Sequence, residues 1–280
     1  MLQMLTDMFS HAFMARAFAA GIVLGIAVPL VGVVVVLKRL SMMGDALSHA
    51  SLAGVAAGLI GGINPVAGAT AACTVSALAI EGIRRRFEGH ADLAIAVVLA
   101  AGVGMAGVLS GFVPNSSTFS SFLFGSIVTV DDGELGTVVA LGIAVVLMCA
   151  LFNRELFWVT LDERAARLAG VRTTVVNFTF ILMTAVTVSI ASRTVGTLIV
   201  SSMMTVPVAC ALVAARSWKQ TIAVSCAVGV ISAAAGLVAS YAFGFKPGGA
   251  IVLTEIVLLA MLFAGKALGK RILHRTRSQG

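Results

Sequence analysis

Charge is scarce in this 280-residue chain. Lys, Arg, Asp and Glu together make up 11% of it, against about 25% in soluble globular proteins. Hydrophobic residues make up 59%, and mean hydropathy is +1.07. Surface-to-volume scaling leaves too much of a chain this size outside for so much apolar surface to be hidden from water. A soluble enzyme, a disordered tail and a nucleic-acid-binding domain are thereby excluded. Cysteine is scarce too. Cys73, Cys149, Cys210 and Cys226 each stand alone in an apolar run, with no C-x-x-C pair, which excludes a zinc knuckle or dithiol redox motif and leaves small core residues. No G-x-x-x-x-G-K-[ST] occurs, since neither Gly265-Lys266 nor Gly269-Lys270 is followed by Ser or Thr, so this chain does not bind ATP through a P-loop. H-E-x-x-H, nucleophile-elbow and haem motifs are missing as well. The first ten residues hold no Lys or Arg and are not expected to form a secretory signal.

What is present is a series of long apolar runs. A transmembrane helix needs about 20 mostly apolar residues, and nine segments qualify: 17–37, 43–62, 65–83, 91–112, 134–152, 174–192, 195–215, 220–243 and 249–266. The fold class is therefore all-α, a polytopic membrane protein with eight or nine transmembrane helices. An amphipathic segment is expected over 1–15, a single transmembrane domain over 16–268 and a basic tail over 269–280. Residues 113–132 are too polar and broken to span, and are expected to form a short helix or re-entrant piece packed on the bundle. If the loop 38–42 is cytoplasmic and the spans alternate, 16 of the 19 lysines and arginines fall on the cytoplasmic side, leaving Arg16, Arg193 and Lys246 outside. The positive-inside rule then places the N-terminus outside and the C-terminus in the cytoplasm. Gly21/Gly25, Gly54/Gly58, Gly58/Gly62 and Gly107/Gly111 are G-x-x-x-G pairs of the kind that let helices approach closely in lipid.

Ionisable groups inside apolar segments mark candidate chemistry, because each costs at least about 2.5 kcal/mol at mid-helix. Asp45 and His49 fall in Gly44-Asp45-Ala46-Leu47-Ser48-His49-Ala50. Their i,i+4 spacing puts both on one helix face. A carboxylate and an imidazole there make half of a site for a first-row divalent ion. The bland alternative is an interfacial carboxylate paired with Lys38 or Arg39 and a core histidine. Glu255 is a candidate third ligand or proton site, or a hydrogen-bonding partner for a neighbouring helix. Ser48 is a further pathway candidate. Asp131, Asp132 and Glu134 precede an outer helix start. In the loop 153–173, Asp162 suits an N-cap and Gly170 a C′ stop. Arg164 and Arg167 are expected to face solvent, and Ala165, Ala166 and Leu168 to form a short apolar stripe. Such a helix is either a docking knob for a cytoplasmic partner or an idle interfacial helix.

These residues resemble the permease subunits of bacterial zinc/manganese/iron ABC importers. Residues 38–50, Lys-Arg-Leu-Ser-Met-Met-Gly-Asp-Ala-Leu-Ser-His-Ala, are similar to the family's G-D-A-L-S-H-A hallmark. Phe122-Leu123-Phe124-Gly125-Ser126 looks like its L-F-G-S/N stretch. Residues 161–171 look like its D-x-x-x-A-x-x-x-G coupling loop, with Ala166 supplying the usual spacing. Val195-Gly196-Thr197-Leu198 through Pro207-Val208-Ala209 resembles its V-G-x-L…P-A-x-A helix. The resemblance implies a non-catalytic permease in the bacterial cytoplasmic membrane, a homodimer that binds no cofactor. It would carry Zn²⁺, Mn²⁺ or Fe²⁺ inward, with ATP hydrolysed by separate ATP-binding-cassette ATPase subunits and the ion delivered by an extracytoplasmic solute-binding protein. It also implies that Asp45 and His49 line the metal path. The helix with Asp162, Glu163, Arg164, Ala165, Ala166, Leu168 and Gly170 would sit in a cleft of the ATPase. Two rivals are an ion-coupled secondary transporter using Asp45, His49 and Glu255, and an ABC permease for a siderophore-type chelate.

Overall fold

The computed structural model of the protein describes residues 12–87, 90–114, 116–125 and 127–277, with side chains as far as Lys266 apart from those of residues 116–118, 124 and 129. Among the described residues there are helices and no strands. They run α1 Ala12–Leu37, α2 Met43–Ile60, α3 Pro65–Arg86, α4 Ala91–Ser110, α5 Ser116–Phe124, a 3-10 turn Ile127–Thr129, α6 Asp132–Leu151, α7 Asn153–Leu161, α8 Glu163–Leu168, α9 Thr173–Val195, α10 Thr197–Ala214, α11 Trp218–Phe243 and α12 Pro247–Arg277. Each of the nine expected spans corresponds to one long helix. The amphipathic segment expected over 1–15 lies outside the described residues up to His11, and α1 begins at Ala12. The helix α12 continues to Arg277 through most of the stretch expected as a tail, whose side chains, like residues 278–280, lie outside the described residues.

Eight of these helices are long and apolar enough to cross a membrane on their own. The ninth, α2, is 18 residues long and carries Asp45 and His49. At about 1.5 Å per residue it spans about 27 Å, close to the ~30 Å of a hydrocarbon core. Its ends show that it traverses the bundle. It starts beside Lys38, which bonds to α9 near its start, and finishes beside the start of α3, whose other end returns Arg84 to that same end of the molecule.

The helices α1, α2, α9 and α10 form the interior. The helix α1 is buried from Met14 to Val35 along one continuous stripe, and packs against α6, α10 and α11. The helices α3, α4, α6 and α12 keep large apolar side chains outside, among them Val75, Val108, Leu147 and Leu253, as lipid-facing helices do. Residues 116–124 form the expected short helix, packed on α2, α9 and α10. Gly125, at φ +69°, presses its backbone onto the α9–α10 junction, where a β-carbon would stand 2.1 Å from the Val195 carbonyl carbon.

Two glycine contacts set the helix spacing. A β-carbon on Gly229 of α11 would stand 2.2 Å from the Gly25 carbonyl oxygen of α1, and one on Gly68 of α3 would stand 2.4 Å from the Gly54 carbonyl oxygen of α2. Gly107 differs: among the described residues nothing lies within 4 Å of its β-carbon position, so the Gly107/Gly111 pair joins no other described helix. Substituting Gly229→Ala is expected to cost about 1–3 kcal/mol through overpacking, read as a lower unfolding temperature in detergent. Gly107→Ala is expected to leave that temperature unchanged, and equal losses would refute the packing assignment.

Candidate metal path and coupling module

The site helix begins from a rigid turn. The helix α1 ends in a Schellman arrangement in which Leu40 N–H donates to Val35 O at 2.9 Å and Arg39 N–H donates to Val36 O at 3.0 Å. Arg39 takes the left-handed position at φ +60°, where glycine is usual. Met43 N–H then donates to Leu40 O at 2.8 Å, and α2 starts. Asp45 lies in its first turn, where a carboxylate is favourable against the helix dipole.

The Asp45 Oδ1 and His49 Nε2 atoms are 3.8 Å apart, with side chains 31% and 25% exposed. Thirteen of the 18 residues of α2 are buried, so these two belong to the narrow face the bundle leaves accessible. A divalent transition metal holds carboxylate oxygen and imidazole nitrogen at about 2.0–2.2 Å, so atoms at this separation fit around one ion. The neighbouring helices come close on either side. A β-carbon on Gly44 would meet Met204 Sδ of α10 at 2.8 Å and Ser201 Oγ at 3.7 Å, and one on Gly102 of α4 would meet the Ala50 nitrogen at 3.0 Å. Ser48 is 1% exposed, and its hydroxyl has no hydrogen-bond partner among the described residues. Among the described residues no three His, Cys, Asp or Glu gather closely enough to hold a metal.

Glu255 lies in another seam. It is fully buried in α12, and its Oε1 accepts from Ser232 Oγ of α11 at 3.4 Å. At the end of the molecule opposite Lys38, Asp132 pairs with Arg16 at 3.1 Å and Glu134 with Arg193. Asp131 caps α6, accepting from Glu134 N–H at 2.7 Å.

The loop 153–173 holds two helices rather than one. The first, α7, is fixed to α11 by Trp218 Nε1, which donates to Asn153 Oδ1 at 2.8 Å. The second, α8, is capped by Asp162, whose Oδ1 accepts from Arg164 N–H at 2.8 Å and Ala165 N–H at 3.0 Å. It ends as expected at Gly170, at φ +85°, with Val171 N–H donating to Ala166 O at 3.0 Å. The expected stripe divides. Ala166 is fully buried, while Ala165 is exposed and Leu168 is 91% exposed. The reason is helical phase: Ala165 and Leu168 are three apart and share the outward face, where Leu161 is also exposed. Arg164 and Arg167 are exposed as expected.

Glu163 faces inward, into a polar network that hydropathy and motif spacing do not signal. Its Oε1 accepts from Asn177 Nδ2 of α9 at 2.9 Å, and its Oε2 from Arg84 Nη1 of α3 at 3.4 Å. Arg84 also forks onto Glu81, with Nε to Oε2 at 2.8 Å and Nη2 to Oε1 at 3.0 Å, and Arg85 Nε adds a third bond to Glu81 Oε1 at 2.8 Å. Lys38 Nζ donates to Asn177 Oδ1 at 2.6 Å. Burial, and then the nearby Arg84 guanidinium, lower Lys38 to about 8, against the opposing pull of Glu163 and Glu81. A cavity of about 730 Å³ opens here, lined in part by Lys38, Arg39, Arg84, Asp162, Glu163 and Arg216.

The sequence profile of the ABC 3 transport family matches residues 10–265. The chain belongs to the ABC 3 transport family. It is 35% identical, over 94% of this chain and 99% of the relative, to the probable metal transport system membrane protein of Treponema pallidum. It is 31% identical to the manganese transport system membrane protein MntC of Listeria monocytogenes, over 94% of each chain. The solved structure of PsaBC from Streptococcus pneumoniae in complex with Fab has a TM-score of 0.83 at 28% identity, covering 94% of this chain and 95% of that chain.

In this ABC 3 family chain, Asp162 caps the start of α8. Asp162→Ala is expected to destabilise the six-residue helix by about 0.5–2 kcal/mol, seen as faster amide hydrogen exchange over 163–168 than elsewhere. Unchanged exchange there would show that packing of Ala166, not the cap, holds the helix.

Proposed function

We propose that this multi-pass membrane protein is the permease subunit of an ATP-driven importer for a divalent transition metal ion. The observation that carries the reading is the Asp45/His49 pair, 3.8 Å apart on the accessible face of an otherwise enclosed helix. Manganese is the first candidate among manganese, zinc and iron, because carboxylate oxygen suits Mn²⁺ and the Listeria relative is named for manganese transport. Partial exposure of both side chains supports a homodimer in which a second copy brings its own Asp45 and His49 across a two-fold seam, giving four ligands. Hydrolysis of ATP falls to separate ATPase subunits docking on α8, where Ala165 and Leu168 are exposed beside Leu161 at the end of α7. An extracytoplasmic binding protein supplies the ion at the opposite end. The family match favours this reading over an ion-coupled secondary carrier.

The membrane is the bacterial cytoplasmic membrane, with the end that holds Lys38, Arg84 and Arg216 in the cytoplasm, the N-terminus outside and the C-terminus inside. A single cysteine introduced as Arg216→Cys in a cysteine-free background should react with an impermeant thiol reagent only from the cytoplasmic side. Reaction from outside in intact cells would invert the topology.

The functional test is elemental uptake in cells lacking their own metal importers, expressing this permease with its ATPase and binding protein. The cells are offered Mn, Fe, Co, Ni, Cu and Zn together. Manganese is expected to accumulate, and Asp45→Ala and His49→Ala, at matched expression, to reduce it to the level of cells without the permease. Accumulation that survives both substitutions would overturn the site, and no accumulation by an assembled complex would overturn the metal reading.

A further inference from the structure

Resting on the importer reading above, we infer that Asn177 and Lys38 are positioning residues that transmit movement of α8 to the helix carrying Asp45 and His49.

Glu163 is the first residue of α8 and projects into the protein while Leu168 projects out. Any displacement of α8 by a docked ATPase therefore moves a carboxylate whose two oxygens are both engaged. One oxygen holds Asn177, the other Arg84. Asn177 is 2% exposed and lies in the first half of α9. It uses both ends of its amide, the NH₂ donating to Glu163 and the carbonyl accepting from Lys38. An Asp carboxylate in its place would only accept, a Lys ammonium would only donate and an aliphatic chain would do neither, so each of these would lose at least one of the two bonds. Lys38 directly follows α1 and stands seven residues before Asp45. The turn between them is locked by the bonds of Leu40 to Val35, Arg39 to Val36 and Met43 to Leu40, with Arg39 held left-handed. A shift passed to the Lys38 backbone thus reaches the first turn of α2 without a flexible backbone segment to absorb it.

The second arm stabilises the first. Arg84 is pinned on Glu81, which is 6% exposed, by two parallel bonds, and Glu81 takes a third from Arg85. Bidentate guanidinium–carboxylate pairs are geometrically fixed, so α3 supplies a stationary anchor against which Glu163 moves. At 3.4 Å the Arg84–Glu163 bond is the longest of the six in the network, and it is the contact α8 breaks most readily when it shifts.

The test uses the whole importer, permease with ATPase and binding protein, in proteoliposomes, reading manganese uptake and ATP hydrolysis together. The variants are Asn177→Asp, which keeps the volume and removes the donor facing Glu163, Asn177→Leu, Lys38→Met and the conservative Lys38→Arg. For the first three, metal taken up per ATP hydrolysed is expected to fall about tenfold, the size of one lost charge-assisted hydrogen bond, with assembly and hydrolysis retained. Lys38→Arg is expected to keep coupling near wild type, and Lys38→Met combined with Asn177→Leu to be no worse than either alone. Uptake and hydrolysis falling together in proportion to assembled complex would mean that the network is only a structural staple. An unchanged ratio would also overturn the inference while leaving the importer reading intact. A wild-type complex that hydrolyses ATP and takes up no metal would overturn the importer reading and this inference with it.

Discussion

Placing an ionisable group in hydrocarbon costs at least about 2.5 kcal/mol at mid-helix, and the layout of this chain follows from that penalty. Lys38, Glu81, Arg84 and Glu163 gather at one end of the bundle, and Arg16, Asp132, Glu134 and Arg193 pair at the other. Between them α2 carries Asp45 and His49, and it alone of the nine long helices is not apolar enough to cross by itself. It is made to cross by enclosure. The helices α3 and α4 cover it on one side and α10 on another, close enough that Gly54 meets Gly68 backbone to backbone and Gly102 meets Ala50. In lipid, where apolar contact between helices brings no hydrophobic gain, such close approach is the main source of association. The small residues of α2 are thus the structural counterpart of its two ionisable ones.

Glu255 meets the same penalty differently. It is fully buried and takes one hydroxyl bond from Ser232, whereas Asp45 and His49 keep 31% and 25% of their side-chain surfaces. Burying a polar group calls for partners inside, and a group meant to exchange an ion cannot be closed in by its own chain. The contrast separates a carboxyl enclosed between α11 and α12 from a pair left partly accessible on α2. The helices α3, α4, α6 and α12 keep large apolar side chains outside, as helices facing lipid do.

Much of this was legible in the sequence. Long apolar runs and one-sided basic residues mark the spans because lipid penalises every exception. Asp162 and Gly170 mark α8 because capping needs particular side chains and a left-handed C′ position. The i,i+4 spacing of Asp45 and His49 fixes their shared face. What was not legible depends on tertiary contact. Lys38 meets Asn177 across 139 residues and Arg84 meets Glu163 across 79, separations at which no periodicity speaks. The polar Asn177 and Glu81, each within an expected apolar span, are the local signs of that network. The division of Ala165, Ala166 and Leu168 between two faces follows from where α8 lies on the bundle, and the open space at Gly107 shows that small residues four apart do not by themselves make a contact.

A direct ion pair between Lys38 and Glu163 would attract over a range of distances and orientations, since Coulomb energy falls off slowly with separation. An intervening amide behaves otherwise. Its two bonds, 2.6 and 2.9 Å long, weaken steeply when angles depart from linearity, and one rotation of the Asn177 side chain displaces both. The link between α8 and the start of α2 is therefore sharp: made together or lost together, with Arg84 on Glu81 as the fixed reference. Packed interiors move between discrete arrangements rather than deforming continuously, and a relay that tolerates no intermediate geometry suits a permease whose ion site must open to one side of the membrane at a time. In this reading Asn177 is matched to its place by its chemistry, since it is half-and-half donor and acceptor between an acid on the module that an ATPase would move and a base on the turn that leads to the metal ligands.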